Sequence, residues 1–178
     1  MTIIPAAQFS TLSPAALRLA EAQFVLGKFS EASLARHDDT LFLLTTYFDA
    51  FLFCFVSIEE MVESPEKKAA IQAVPIFSFF KALRNIATHH SILSGVNGKF
   101  PRPIVRIVSI GASDNAVFCV IPEKIEFIFS EILKIRPREK RTIDAARLFL
   151  DSRIAIGGDI LLKDLLVSAI ESVRPHVS

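Results

Sequence analysis

The sequence places an arginine and a histidine five residues apart, Arg84 and His89, near the end of a predicted amphipathic helix. Histidine changes its protonation state near neutral pH and can take up or release a proton, whereas arginine keeps its charge and offers several N–H donors to a phosphate. Such a pair suits cleavage of an RNA phosphodiester, because the imidazole can deprotonate the 2′-hydroxyl or protonate the leaving oxygen while the guanidinium stabilises charge on the phosphorane. This chemistry requires no metal ion, and we expect no cofactor.

The helix predicted for residues 76–90 separates apolar from polar side chains when they are placed about 100° apart around its axis. His90 falls on the apolar stripe, where a core histidine is expected, and Phe77 is the one large apolar residue on the other side. The polar face carries Arg84 and His89 and, as candidates for phosphate binding or positioning, Lys81, Asn85 and Thr88.

The run from Arg84 to His89, Arg-Asn-Ile-Ala-Thr-His, resembles the signature of the HEPN family, in which arginine, often followed by a polar residue, precedes a histidine near a helix end. The resemblance implies an all-helical fold. For nuclease members it implies a metal-independent ribonuclease whose active site forms where two motifs face each other in a homodimer. Arg84 and His89 would then be catalytic, and Asn85 would position them or contact phosphate. The family includes toxins of toxin–antitoxin systems and phage-defence effectors, so an antitoxin or regulatory protein is a candidate partner.

The same residues also have a purely structural interpretation. A helix C-terminus favours cationic side chains by about 0.3–1 kcal/mol each, so Arg84 and His89 are also compatible with solvated residues that do no chemistry. The alternative function is a non-catalytic helical module of the same architecture that binds a nucleotide or a protein.

A second basic group follows a proline later in the chain. It consists of Arg136, Arg138, Lys140 and Arg141, and it is a candidate for contact with RNA phosphates. A solvated turn between two helices explains the same residues, because runs of charge commonly face water.

The elements that must position these groups are mainly helical. Prolines, caps and apolar spacing predict helices at residues 14–36, 40–62, 65–73, 76–90, 122–137, 139–156 and 159–173, with Ser64 and Asp159 among the caps. Two β-branched runs at 104–110 and 116–121 predict a β-hairpin insertion at about 103–121. We therefore predict one HEPN-like domain over residues 1–178, mainly all-α, as a helical up-and-down bundle with a small β-hairpin insertion.

The second predicted helix is almost continuously apolar between residues 41 and 58, with Asp49 as its only charge. An aspartate at the centre of a membrane span costs about 3 kcal/mol, so we expect a buried central helix, and a membrane-associated protein is the alternative. Its aromatic residues, Phe42, Phe48, Phe51, Phe53 and Phe55, are interpreted as core and dimer interface. Asp49 is expected to pair with Arg84 or Lys81, to line the cleft or to bind a hydroxyl, and Glu59 and Glu60 to be exposed.

The composition limits the class of protein. The chain has 178 residues, 51% hydrophobic and 22% charged, and a formal net charge of +1. A core of useful size is therefore expected, and only a local patch would hold a polyanion. Cys54 and Cys119 lie in apolar runs without metal-ligand spacing, and the first residues lack the pattern of a secretory signal, so we expect a reduced, cytoplasmic protein.

Overall fold

The computed structural model describes residues 11–34, 40–87, 104–109 and 116–177. Within these ranges the chain is mainly helical and carries one small antiparallel hairpin, which confirms the predicted class. The elements are α1 (Pro14–Leu34), α2 (Thr40–Met61), α3 (Pro65–Ala73), α4 (Pro75–Ala87), β1 (Val105–Ser109), β2 (Ala116–Val120), α5 (Pro122–Ile135), α6 (Lys140–Ile156) and α7 (Leu162–Val173), with 3-10 turns at Pro137–Glu139 and Arg174–His176.

Helix α3 begins where local chemistry predicts. The Ser64 hydroxyl accepts a hydrogen bond from the backbone N–H of Lys67 at 3.2 Å, and Pro65 occupies the first turn, where its missing N–H costs nothing. The connection between α3 and α4 is short. Gln72, near the end of α3, therefore stays close to the polar face of α4.

Helix α7 begins at Leu162, so the predicted cap at Asp159 is wrong. The Asp159 carboxylate instead forms an ion pair with Arg106 of β1. The carbonyl of Ile160 accepts a hydrogen bond from the N–H of Val120 in β2 at 2.8 Å. These contacts keep residues 159–161 extended against the hairpin, and the helix starts only after them.

The core is built around α2 and α4, whose phenylalanine rings interlock. Phe55 lies 5.5 Å from Phe77 and 5.7 Å from Phe80, and Phe51 lies 5.7 Å from Phe80, measured between ring centroids. On the other side of α4, Phe79 contacts Phe149 of α6 with 5.2 Å between ring centroids. Helix α4 is therefore held from both sides, which fixes the direction of its polar face.

Helix α2 divides its phenylalanines between the core and the surface. Phe48, Phe51 and Phe55 are buried, whereas Phe42 and Phe53 are 70% and 51% exposed. The stretch Phe42–Met61 is long and apolar enough to cross a membrane by length and composition alone, and half of it is buried inside the fold. Such burial is also typical of the core helix of a globular domain.

Candidate functional site

Helix α4 buries its apolar side and turns a partly exposed polar face outward, as its sequence period predicts. Ser78, Lys81, Arg84 and Asn85 are all half-buried along this face. Phe77, the apparent exception in the sequence pattern, is only 1% exposed and packs against α2. Two of the predicted site residues, Thr88 and His89, lie outside the described residues.

Lys81 is held by a buried carboxylate of α2. Its Nζ lies 2.5 Å from Oε2 of Glu59, and the Gln72 amide donates to the other oxygen of the same carboxylate. Glu59 is only 5% exposed, so the prediction that it faces water is wrong. Its carboxylate instead contacts Lys81 of α4. Burial alone would raise the pKa of Glu59, but the hydrogen bonds and charge of its partners outweigh burial and hold the pKa below its ordinary value.

Arg84 lies in the last turn of α4 and makes few polar contacts. Its Nη2 lies 3.9 Å from Oε1 of Glu60, which is too long for a hydrogen bond. Its Nε–H is buried and has no hydrogen-bond partner among the described residues. The guanidinium is therefore fixed by packing more than by polar contacts, and its outer N–H groups remain able to bind an anion.

Asn85 connects the motif helix to the basic group. Its side-chain Nδ2 donates to Oε2 of Glu139 at 3.0 Å, although the two residues are 54 positions apart in the chain. Glu139 ends the 3-10 turn that leads into α6, and this turn contains Arg138. The fold thus brings the basic group beside the polar face of α4.

The members of the basic group differ in their partners. Lys140 forms an ion pair with Asp144 one turn later in α6. Arg138 and Arg141 are exposed and Arg136 is half-buried, and none of the three has an acidic partner in the ranges that the structure describes. These arginines therefore present positive charge that is not neutralised locally.

A cleft of about 310 Å³ lies between α3, α4 and the first turns of α6. It is lined by Gln72, Phe77, Ser78, Lys81, Arg141, Thr142 and Ala145. Gln72, Glu59, Glu139 and Thr142 were not among the sequence candidates. No sequence spacing identifies them, because each belongs to another element that approaches α4 only in the folded chain.

Asp49 does not join this site. Lys81 pairs with Glu59, and the charged group near Arg84 is Glu60, so neither of the predicted cations neutralises Asp49. Its Oδ1 is buried and has no hydrogen-bond partner, hydroxyl or other, within the described ranges. Burial raises the pKa of this carboxyl to about 6.

Neither a family model, nor a curated protein, nor a solved structure matches the chain. Among the described side chains no three His, Cys, Asp or Glu residues come together as ligands for a metal ion. Cys54 and Cys119 are free thiols, half-buried and buried respectively, and burial raises the pKa of both.

Proposed function

We propose that the chain is a metal-independent endoribonuclease of the HEPN type that acts as a homodimer in the cytoplasm, with Arg84 and His89 as catalytic residues. The observation that supports this proposal is a hydrogen bond that joins the motif helix to the turn that carries the basic group. Arg84 retains unused N–H donors in the last turn of α4, and the neighbouring Asn85 donates to Glu139, which follows exposed Arg138 in the 3-10 turn. A polyanion fits such a surface better than a neutral ligand does.

In the proposed reaction, one imidazole takes the proton of an RNA 2′-hydroxyl, and the 2′-oxygen forms a bond to the adjacent phosphorus. The bond from phosphorus to the 5′-oxygen then breaks, and that oxygen receives a proton from the imidazole of the second copy. Arg84 donates hydrogen bonds to the non-bridging oxygens, where negative charge grows. The products are a 2′,3′-cyclic phosphate and a 5′-hydroxyl.

The sequence predicts that α4 continues to residue 90. His89 follows Asn85 by four positions, so in such a helix their side chains would lie about 40° apart around the axis and one turn apart along it. Arg84 would lie about 140° from His89 around the axis, a gap that the long arginine side chain can cover.

The homodimer is supported by the exposed side of α2. Phe42, Phe53 and Glu60 share one face of this helix by their spacing, and the two rings are exposed. Glu60 is also the residue that approaches Arg84 at 3.9 Å. A second copy that covers the two rings would make this face of α2 part of the dimer interface.

The first prediction concerns the catalytic pair. Arg84→Ala and His89→Ala are each expected to lower the rate of RNA cleavage about 100-fold or more, because each removes transition-state or proton-transfer stabilisation. Cleavage of labelled RNA in the presence of EDTA measures this effect. Matched controls are Arg174→Ala and His176→Ala, which lie beyond α7, and circular dichroism checks that all four variants fold.

If Arg84→Ala and His89→Ala both cleave RNA at the wild-type rate, the ribonuclease assignment is wrong. If the folded wild-type protein binds a nucleotide or a protein but never cleaves RNA, the non-catalytic module takes its place. The cleft beside Lys81 and Arg141 is the feature that favours this second function, because it offers cations and hydroxyls for binding without requiring His89.

A further inference from the structure

The cleft between α3, α4 and α6 is lined mostly by polar side chains. Two hydroxyls, one amide and two cations line it together with two apolar residues, Phe77 and Ala145. At about 310 Å³ it lies at the lower end of the range for small-ligand sites, so it suits one compact group rather than a large ligand. It is distinct from Arg84, which does not line it.

The two cations of the cleft are held differently. The ammonium of Lys81 gives one of its three N–H donors to Glu59 at 2.5 Å, which fixes the group at the edge of the cleft and leaves donors for a ligand. Arg141 is exposed and has no acidic partner among the described residues. For an anion between them, Arg141 would supply the uncompensated positive charge, and Lys81 would supply the N–H donors that Glu59 leaves.

The hydroxyls complete a set of donors for an anion. Ser78 lies one turn before Lys81 on α4, and Thr142 directly follows Arg141 in the first turn of α6. Thr142 therefore lies at the end of α6 where the helix dipole is positive. Two cations and two hydroxyls around one small space are the donor set that a phosphate group requires.

We infer that this cleft binds one phosphate of the RNA strand, next to the phosphate that Arg84 contacts. This inference rests on the proposed function and adds a substrate subsite to it. Lys81 precedes Arg84 by one turn of α4, about 4.5 Å along the axis, so consecutive phosphates of one strand can reach both. Because Phe77 is too buried to stack on a base, the subsite holds the backbone without selecting sequence.

The first test uses adenosine 5′-monophosphate as the probe and adenosine as the matched ligand without phosphate. In NMR titrations the monophosphate, but not adenosine, is expected to shift the backbone amides of Ser78, Thr142 and Ala145. Arg141→Ala should weaken binding of the monophosphate about tenfold or more, since it removes a charge-assisted contact. Arg174→Ala makes the same change of charge far from the lining of the cleft and should weaken it less than about twofold.

Equal shifts with both ligands, or equal losses in both arginine variants, would overturn the subsite. A further variant, Thr142→Val, keeps the shape of the side chain and removes its hydroxyl, and it should also weaken binding of the monophosphate. All three positions are partly or fully exposed, so these substitutions leave the core intact.

The second test separates the subsite from the proposed reaction. Arg141→Ala should raise the KM for RNA more than it lowers kcat, whereas Arg84→Ala should act mainly on kcat. Lys163→Ala, an exposed cation on α7, is the control for a general change of charge. An unchanged KM for Arg141→Ala would show that the strand does not enter the cleft. Phosphate binding without any RNA cleavage would instead reject the proposed reaction and leave an anion site.

Discussion

At the scale of single residues, Glu59 limits how many charged groups on the polar face of α4 are free to bind a ligand. Its carboxylate is buried and takes hydrogen bonds from Lys81 and Gln72, so one of the cations that the sequence offered for phosphate binding is already paired. A buried charge of this kind is tolerable only with its partners, because desolvation of an unpaired carboxylate is costly. Lys81 therefore has a structural role whatever it binds in the cleft.

We predict that Lys81→Met lowers the free energy of unfolding by about 1–3 kcal/mol at pH 7, because it leaves the Glu59 carboxylate buried with one partner fewer. The double variant Lys81→Met with Glu59→Gln should recover part of this loss. Urea denaturation measures both. A double variant that is no more stable than the single one would contradict the account.

The pH dependence of this pair follows from the lowered pKa of Glu59. Because the folded state binds the proton less tightly than the unfolded state, the stabilisation is complete above the ordinary pKa of 4.5 and is lost as the pH falls through the lower folded value. The difference in stability between the wild type and Lys81→Met should therefore shrink below about pH 4.5.

The pKa of Asp49 is shifted in the opposite direction to that of Glu59. Burial raises its pKa from 3.8 to about 6, so the folded state binds the proton more tightly and the free energy of unfolding falls as the pH rises across this interval. We predict that Asp49→Asn is more stable than the wild type at pH 7 by about 1 kcal/mol, a value reduced for partial contact with water. The two proteins should unfold alike near pH 4 in urea; a constant difference between pH 4 and pH 7 would rule out this explanation.

At the scale of the elements, some helix ends are set by local sequence signals and others by tertiary contacts. Ser64 and Pro65 start α3 through contacts within four residues, and the sequence predicted this start correctly. The start of α7 depends on Arg106 and Val120, which come from the hairpin, and the local cap signal at Asp159 was misleading. A cap works only where no distant partner binds the same side chain more strongly.

The period of α4 correctly predicted its buried and exposed faces over the described part of the motif helix. Period alone did not predict what covers the polar face. The end of α2 supplies Glu59 and Glu60 on one side, and the 3-10 turn before α6 supplies Glu139 on the other. Two of the proposed phosphate contacts, Lys81 and Asn85, are consequently bound to carboxylates within the chain.

At the scale of the whole molecule, the exposed rings of α2 lead to a prediction about assembly. Phe42→Asp is expected to lower the mass in sedimentation equilibrium towards that of one 19.7 kDa chain, because a charge replaces apolar surface that a second copy would cover. RNA cleavage should fall in parallel, since the proposed active site needs two copies. Ile156→Asp, on an equally exposed apolar side chain of α6, is the control.

A dimer that survives Phe42→Asp with full activity would move the interface away from α2. A wild-type protein that is monomeric at all concentrations but cleaves RNA would remove the dimer from the proposal while keeping the catalytic pair.

The sequence by itself determined the helical class, the hairpin and most helix limits, because these follow from caps, prolines and periodicity within a few residues. It also identified Arg84 and the basic group as separate candidates. Only the tertiary structure decided that Asn85 bonds to Glu139, that Glu59 is buried and that Lys81 and Arg141 line one cleft. Those facts depend on side chains from different helices meeting in space, and no local pattern records which helices pack against one another.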